Sequence, residues 1–235
     1  MPVITIARQF GAGGEAVGQM VAQRLGANLL DRGIMDEVAR RLDIPTAEVE
    51  ARDEHPEGFL NQLLTALGSA SLDVGGPGEV AAWNPPYADP AFDSSKAVLA
   101  LTKQVILEAA HTGNAVIVGR GAAYVLREEP GVLNVFLQAP TAFRLAYVQQ
   151  LFGVGEDEAR RRLKQTDANR GAYIRQVYGH DWQGPAHYDV VVDTARLGFE
   201  GAAEVIVAAS GALDAAPAAP GVGPSAPGAP PSPPR

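Results

Sequence analysis

Along the first 213 residues, short β-branched runs alternate with stretches whose apolar positions recur at helical spacing. Val3-Ile4-Thr5-Ile6 reads as a buried strand, and Val17, Met20, Val21 and Leu25 follow on one helical face directly after a glycine-rich turn. Asn28-Leu29-Leu30-Asp31 predicts a short second strand. A strongly apolar helix over Ala97 to Ala110 leads through Thr112-Gly113-Asn114 into a third strand, Ala115-Val116-Ile117-Val118. Leu133 to Leu137 predicts a fourth strand and Val190-Val191-Val192 a fifth, with a closing helix near Phe199 to Ala209. Five short strands separated by helices imply βαβ units, hence an α/β fold with a five-stranded parallel sheet covered on both faces.

Two stretches depart from this alternation. From Glu54 to Ser95, breakers such as Gly75-Gly76-Pro77-Gly78 and Asn84-Pro85-Pro86 interrupt helical fragments, the mark of a functional or mobile insertion. Glu156 to Tyr178 is helical and basic. Beyond Leu213 the composition changes: residues 214–235 are dominated by proline, alanine and glycine, with almost no apolar area to offset the entropy of ordering them. A disordered, partly polyproline-II tail over 214–235 is expected, leaving a folded body of 1–213.

Composition removes several classes of function. The chain has no cysteine, which excludes disulfide scaffolds, thiolate zinc sites and thiol nucleophiles. A formal charge of −8 argues against a dedicated binder of nucleic acid or anionic membrane. No window is long and apolar enough to span a bilayer, and no basic leader precedes the first strand, so a cytoplasmic location is expected. The four histidines, His55, His111, His180 and His187, have no metal-ligand spacing, and no Ser-His-Asp arrangement can be argued.

The sharpest chemical signal is Arg8-Gln9-Phe10-Gly11-Ala12-Gly13-Gly14-Glu15-Ala16-Val17-Gly18, between the first strand and the first helix. Clustered glycines let backbone N–H groups converge on an anion, and the helix start adds its positive dipole end, so a phosphate is expected at Gly11, Ala12, Gly13, Gly14, Glu15 and Ala16. Two designs fit. Gly11 to Ala16 satisfies the G-x-G-x-x-G/A dinucleotide fingerprint, with Asp31 at the spacing of a ribose-binding acid. The three residues Arg8, Gln9 and Phe10 between strand and first glycine instead suit a longer loop that wraps a triphosphate. Against the usual P-loop pattern, Gly14 stands where lysine belongs and Arg8 where the opening glycine belongs. Some other cation must then neutralise the phosphates.

As an ordered set, these motifs resemble the cytidylate kinase-like family of bacterial proteins, relatives of the P-loop nucleoside monophosphate kinases. The matching pieces are Ile4 to Gly14, Leu30-Asp31-Arg32-Gly33-Ile34-Met35 and Val118-Gly119-Arg120-Gly121. They continue with Arg160-Arg161-Arg162, Lys164, Asp167, Arg170 and Tyr173, then Tyr188-Asp189 and Asp193 to Leu197. The resemblance implies a three-layer P-loop nucleotide kinase-like fold, with an acceptor-binding insertion around 32–96 and a lid around 144–178. It also implies transfer of a phosphoryl group from ATP or another nucleoside triphosphate, with Mg²⁺, onto a nucleoside monophosphate or similar small acceptor. Expected partners are therefore small-molecule nucleotides, with no nucleic acid and no membrane.

Between Gly119 and Gln176 there are nine Lys and Arg against six Asp and Glu, a local excess of three positive charges in an acidic chain. The expected phosphate contacts are Arg170, Arg120 and Arg8, with Arg161 and Lys164 next, the remainder pairing with Glu156, Asp157 and Glu158. Asp31 and Arg32 are the acceptor-side candidates, Asp31 competing with an N-cap role, and Asp167 is expected to position Arg170 and Lys164. Gly121 stands where cytidylate kinases carry an aspartate, and Glu37 near their substrate-binding arginine, which leaves the acceptor open. A nucleotide-binding sensor without useful catalysis and an NAD(P)-dependent oxidoreductase are the rival readings.

Overall fold

The computed structural model describes residues 2–31, 33–42, 45 and 94–215. Most of the expected 32–96 insertion, with Arg32 and His55 in it, and residues 216–235 of the expected tail lie outside the described residues.

Five strands form one wholly parallel sheet: β1 (Val3–Arg8), β2 (Asn28–Leu30), β3 (Ala115–Val118), β4 (Val132–Gln138) and β5 (Val190–Asp193), in the order β2-β3-β1-β4-β5. The helices are α1 (Gly14–Leu25), α2 (Gly33–Leu42), α3 (Ser94–Thr112), α4 (Ala122–Val125), α5 (Thr141–Phe152), α6 (Glu156–Tyr178) and α7 (Thr194–Ala215). All five expected strands are present, each within two residues of its expected ends. The closing helix starts five residues before the expected Phe199, because α7 carries a non-helical Gly198 (φ 68°, ψ 171°) that divides its apolar pattern.

The central strands are buried on both faces, as their predominantly apolar runs require. On one face Ile4, Ile6, Val116, Val118, Val135 and Leu137 pack against Val17 and Val21 of α1 and Ala202, Ala203 and Ile206 of α7. On the other, Val3, Ala115, Ile117 and Val132 pack under α2 and α3, through Ile34, Met35, Val38, Val105 and Ile106. Toward the carboxyl edge this second face carries Ala7 and Phe136, covered by an aromatic group that includes Tyr124, Trp182 and Tyr188. Residue alternation puts Thr5 and Ala7 on this same face, where the Thr5 hydroxyl donates to Asn134 Oδ1 at 2.7 Å.

The strand order matters for function. Dinucleotide-binding sheets place the second strand beside the first, in the order 3-2-1-4-5-6. Here β3 separates them, so the glycine loop does not sit in that design. Among the described residues, no helix is long and apolar enough to cross a membrane.

Candidate active site

Register brings the chemistry to one edge. With Ile6 opposite Val118 and Arg8 opposite Leu137, the ends of β1, β3 and β4 lie together, and Asp31 follows Leu30, which pairs with Ile117. The loop leaving β1 is held on several sides. Gln9 N–H donates to Leu137 O at 2.9 Å, its side-chain oxygen accepts from Ala139 N–H at 3.1 Å, and Thr194 Oγ1 donates to Ala12 O at 3.0 Å. Gly11 and Gly13 have φ of +79° and +76°, which only glycine adopts without strain. A Cβ on Gly13 would also lie 2.2 Å from the Phe199 ring. Helix α1 opens at Gly14 without a side-chain cap, so its first amides have no intrahelical partner and are available to an anion.

Arg8 crosses this edge. Its stem lies against Gly14, its guanidinium reaches Gly119, and Nη2 stands 4.0 Å from Asp31 Oδ1. Burial holds the Arg8 guanidinium below the usual arginine range. The Asp31 charge opposes that shift and the Arg120 charge adds to it. The group still stays a cation at neutral pH. Gly119, Arg120 and Gly121 form a run of left-handed residues with φ of +83°, +55° and +70°. A non-glycine residue in that region, such as Arg120, is uncommon and concentrates at functional sites.

A cavity of about 220 Å³ opens beside this edge. Thr5 and Ala7 form its floor, Arg8, Asp31 and Arg120 its rim, and Thr166, Asn169, Arg170 and Tyr173 its α6 side. The last four recur at i, i+3, i+4 and i+7, one face of a helix. Tyr124, Trp182 and Tyr188 close the back. The Tyr188 hydroxyl donates to Trp182 O at 2.6 Å, and burial pushes its phenol far above the usual tyrosine range, so it stays neutral.

Helix α6 also grips the loop. Arg170 Nη1 donates to Arg8 O at 3.0 Å and its guanidinium lies 5.8 Å from the Phe10 ring centre. Asp167 accepts from Phe10 N–H at 2.8 Å and from Arg144 Nη1 at 2.6 Å, while Arg144 also donates to Ala139 O and Phe10 O. Asp167 therefore holds the loop and Arg144, a correction to its expected partners Arg170 and Lys164. No sequence signal marks Arg144 as that partner, because the pairing depends on how α5 packs against α6.

The expected basic residues separate cleanly. Arg8, Arg120 and Arg170 line one cavity. Arg161 and Lys164 do not; both are exposed, and Arg161 pairs with Glu158. Arg160 pairs with Glu156 at 2.5 Å and Arg162 with Glu158 at 2.6 Å, the solvent-side pairing expected for part of this helix.

Cytidylate kinase-like sequences match over residues 3–196. The chain belongs to the cytidylate kinase-like family. The family therefore takes in the loop, Asp31, the Gly119-Arg120-Gly121 turn and the whole of α6. Among curated relatives, the cytidylate kinase of Methanopyrus kandleri is 32% identical over 97 residues, covering 38% of this chain and 50% of the relative. That of Thermococcus sibiricus is 33% identical over 104 residues, covering 44% and 52%. The chain thus spans about half the length of the curated relatives it matches. A solved structure from Eubacterium ventriosum, of an uncharacterised protein, superposes with a TM-score of 0.63 at 19% identity, covering 90% of this chain and 99% of that one. This likeness speaks for the fold alone.

Replacing Gly119 by alanine tests the turn. The left-handed φ costs an alanine about 1–2 kcal/mol. For a domain of this size that lowers the melting temperature by roughly 2–8 °C, measurable by calorimetry. An unchanged melting temperature would show that the turn relaxes freely.

Proposed function

We propose that this cytidylate kinase-like protein transfers the γ-phosphoryl group of a nucleoside triphosphate, with Mg²⁺, to a nucleoside monophosphate or a similar small acceptor. The observation that carries this reading is the convergence of Arg8, Arg120, Arg170 and Asp31 on one cavity beside a loop whose helix-opening amides are uncapped. Phosphoryl transfer needs positioning and charge stabilisation rather than a nucleophilic side chain, and this is the equipment present.

In this reading the loop amides hold the donor phosphates and the arginines offset the charge spreading over the transferring group. The aromatic wall of Tyr124, Trp182 and Tyr188 gives the acceptor a flat apolar surface and excludes water. Asp31 lies at the rim as a hard oxygen donor. That suits Mg²⁺, which takes one or two carboxylates and completes its shell with phosphate oxygens and water. Asp31 would hold it, and when bound it would neutralise phosphate charge. Asp31 can alternatively orient the acceptor or a water on the Mg²⁺.

The test is a transfer assay with ATP and Mg²⁺ against the common nucleoside monophosphates, paired with equilibrium binding of ATP. Turnover with at least one acceptor is expected. Tight ATP binding without turnover on any of them would instead favour a nucleotide sensor.

A further inference from the structure

The position that carries lysine in an ordinary P-loop is Gly14, and the structure shows why it has no side chain. A Cβ placed on Gly14 would lie 2.5 Å from Arg8 Cγ, 3.0 Å from Cδ and 3.1 Å from Cβ. These atoms belong to the root of the arginine and not to its flexible tip. A side chain at 14 therefore cannot be accommodated by a small shift of the guanidinium. It must turn Arg8 about its first torsion and carry the whole side chain away.

At the far end of Arg8, where the flexible tip could yield, a second glycine also leaves room. A Cβ on Gly119 would lie 2.0 Å from Arg8 Nη1. Two glycines from different segments, one at the start of α1 and one at the end of β3, thus line a path for a single arginine. The path begins at the end of β1, crosses the end of β3 and finishes 4.0 Å from Asp31, at the end of β2. The guanidinium arrives at the rim of the cavity, between the loop and the acceptor side.

We propose that Arg8 is the phosphate-binding cation of this loop, moved from the helix start to the strand end, and that Arg8 and a lysine at position 14 are mutually exclusive. This rests on the phosphotransferase reading and sharpens it. A guanidinium fork entering from the strand offers two parallel donors, one able to reach the donor phosphate and one the acceptor, where a lysine offers a point charge. Gly14 and Gly119 are positioning residues that act by leaving the path open.

The exclusion predicts an inversion. Gly14→Lys restores the ordinary loop sequence, yet should weaken binding of MgATP by roughly tenfold or more, because it evicts Arg8. Arg8→Ala should weaken it similarly. The double variant Arg8→Ala/Gly14→Lys should bind roughly tenfold or more tighter than Arg8→Ala, since the lysine then has room. Calorimetric titration of the full chain with MgATP reads all three, with melting curves to confirm folding and Gly14→Ala as a smaller perturbation in the same direction. Wild-type affinity in Gly14→Lys, or a double variant no tighter than Arg8→Ala, would overturn the inference while leaving the phosphotransferase reading intact. Absence of MgATP binding in the unaltered chain would overturn that reading itself.

Discussion

Asp167→Ala is expected to lower the stability of the protein by about 3–5 kcal/mol, the cost of stripping one partner from a largely buried ion pair. The Asp167 and Arg144 side chains are only 17% and 11% exposed. Removing the carboxylate strands the Arg144 guanidinium and takes away the acceptor of Phe10 N–H. For a folded body of this size the loss corresponds to a fall of roughly 6–20 °C in melting temperature. Arg144→Ala alone should also destabilise, and the double variant should lose much less than the sum, since neither charge is then left alone. Additive losses would mean the two side chains act independently. Asp167→Asn adds a readout beyond stability: it keeps the shape but weakens both bonds, so the loop loosens and KM for ATP rises more than kcat falls.

Arg170→Ala has the largest expected effect on turnover. Its guanidinium lines the cavity together with those of Arg8 and Arg120, and arginines placed on a transferring phosphoryl group are worth about 10³–10⁵ in rate. A loss of at least ~10²-fold in kcat is expected, because Arg8 and Arg120 remain to offset part of the charge. Arg170 also donates to Arg8 O and lies over the Phe10 ring, so it helps to hold the loop as well. Melting curves of Arg170→Ala separate lost turnover from lost folding. Arg170→Lys should recover little of the rate, since the fork geometry is lost with the guanidinium. Full activity in Arg170→Ala would remove α6 from the catalytic account.

The contrast between Arg170 and Arg161 shows what the sequence could and could not convey. Both belong to one basic helix, and composition alone does not rank them. The phase of the helix does: Thr166, Asn169, Arg170 and Tyr173 share a face that turns toward the cavity, whereas Arg161 is exposed and pairs with Glu158. That phase was readable in principle, but which face met the sheet depended on tertiary packing. The strands were legible because β1, β3 and β4 are short, mostly apolar runs rich in β-branched residues. The ends of α6 were legible because Gly155 and Gly179 bracket it.

Most of the contacts that shape the site were not legible, since they join residues distant in the chain. Asp167 and Phe10 are 157 positions apart, and the aromatic wall joins Tyr124 to Trp182 and Tyr188 much later in the chain. The steric relation of Arg8 to Gly14 spans only six residues, yet it depends on a side-chain direction that no pattern of residue types encodes. The absent lysine was evident from the sequence; what had taken its place was not.

The most direct check is a calorimetric series in which the full chain is titrated with adenosine, AMP, ADP and ATP in the presence of Mg²⁺. If uncapped amides and the cavity arginines capture a polyphosphate, affinity climbs with each phosphate, by about 100-fold or more from adenosine to ATP. Equal affinity for adenosine and ATP, or no binding of ATP by the folded chain, would contradict phosphate capture at this loop.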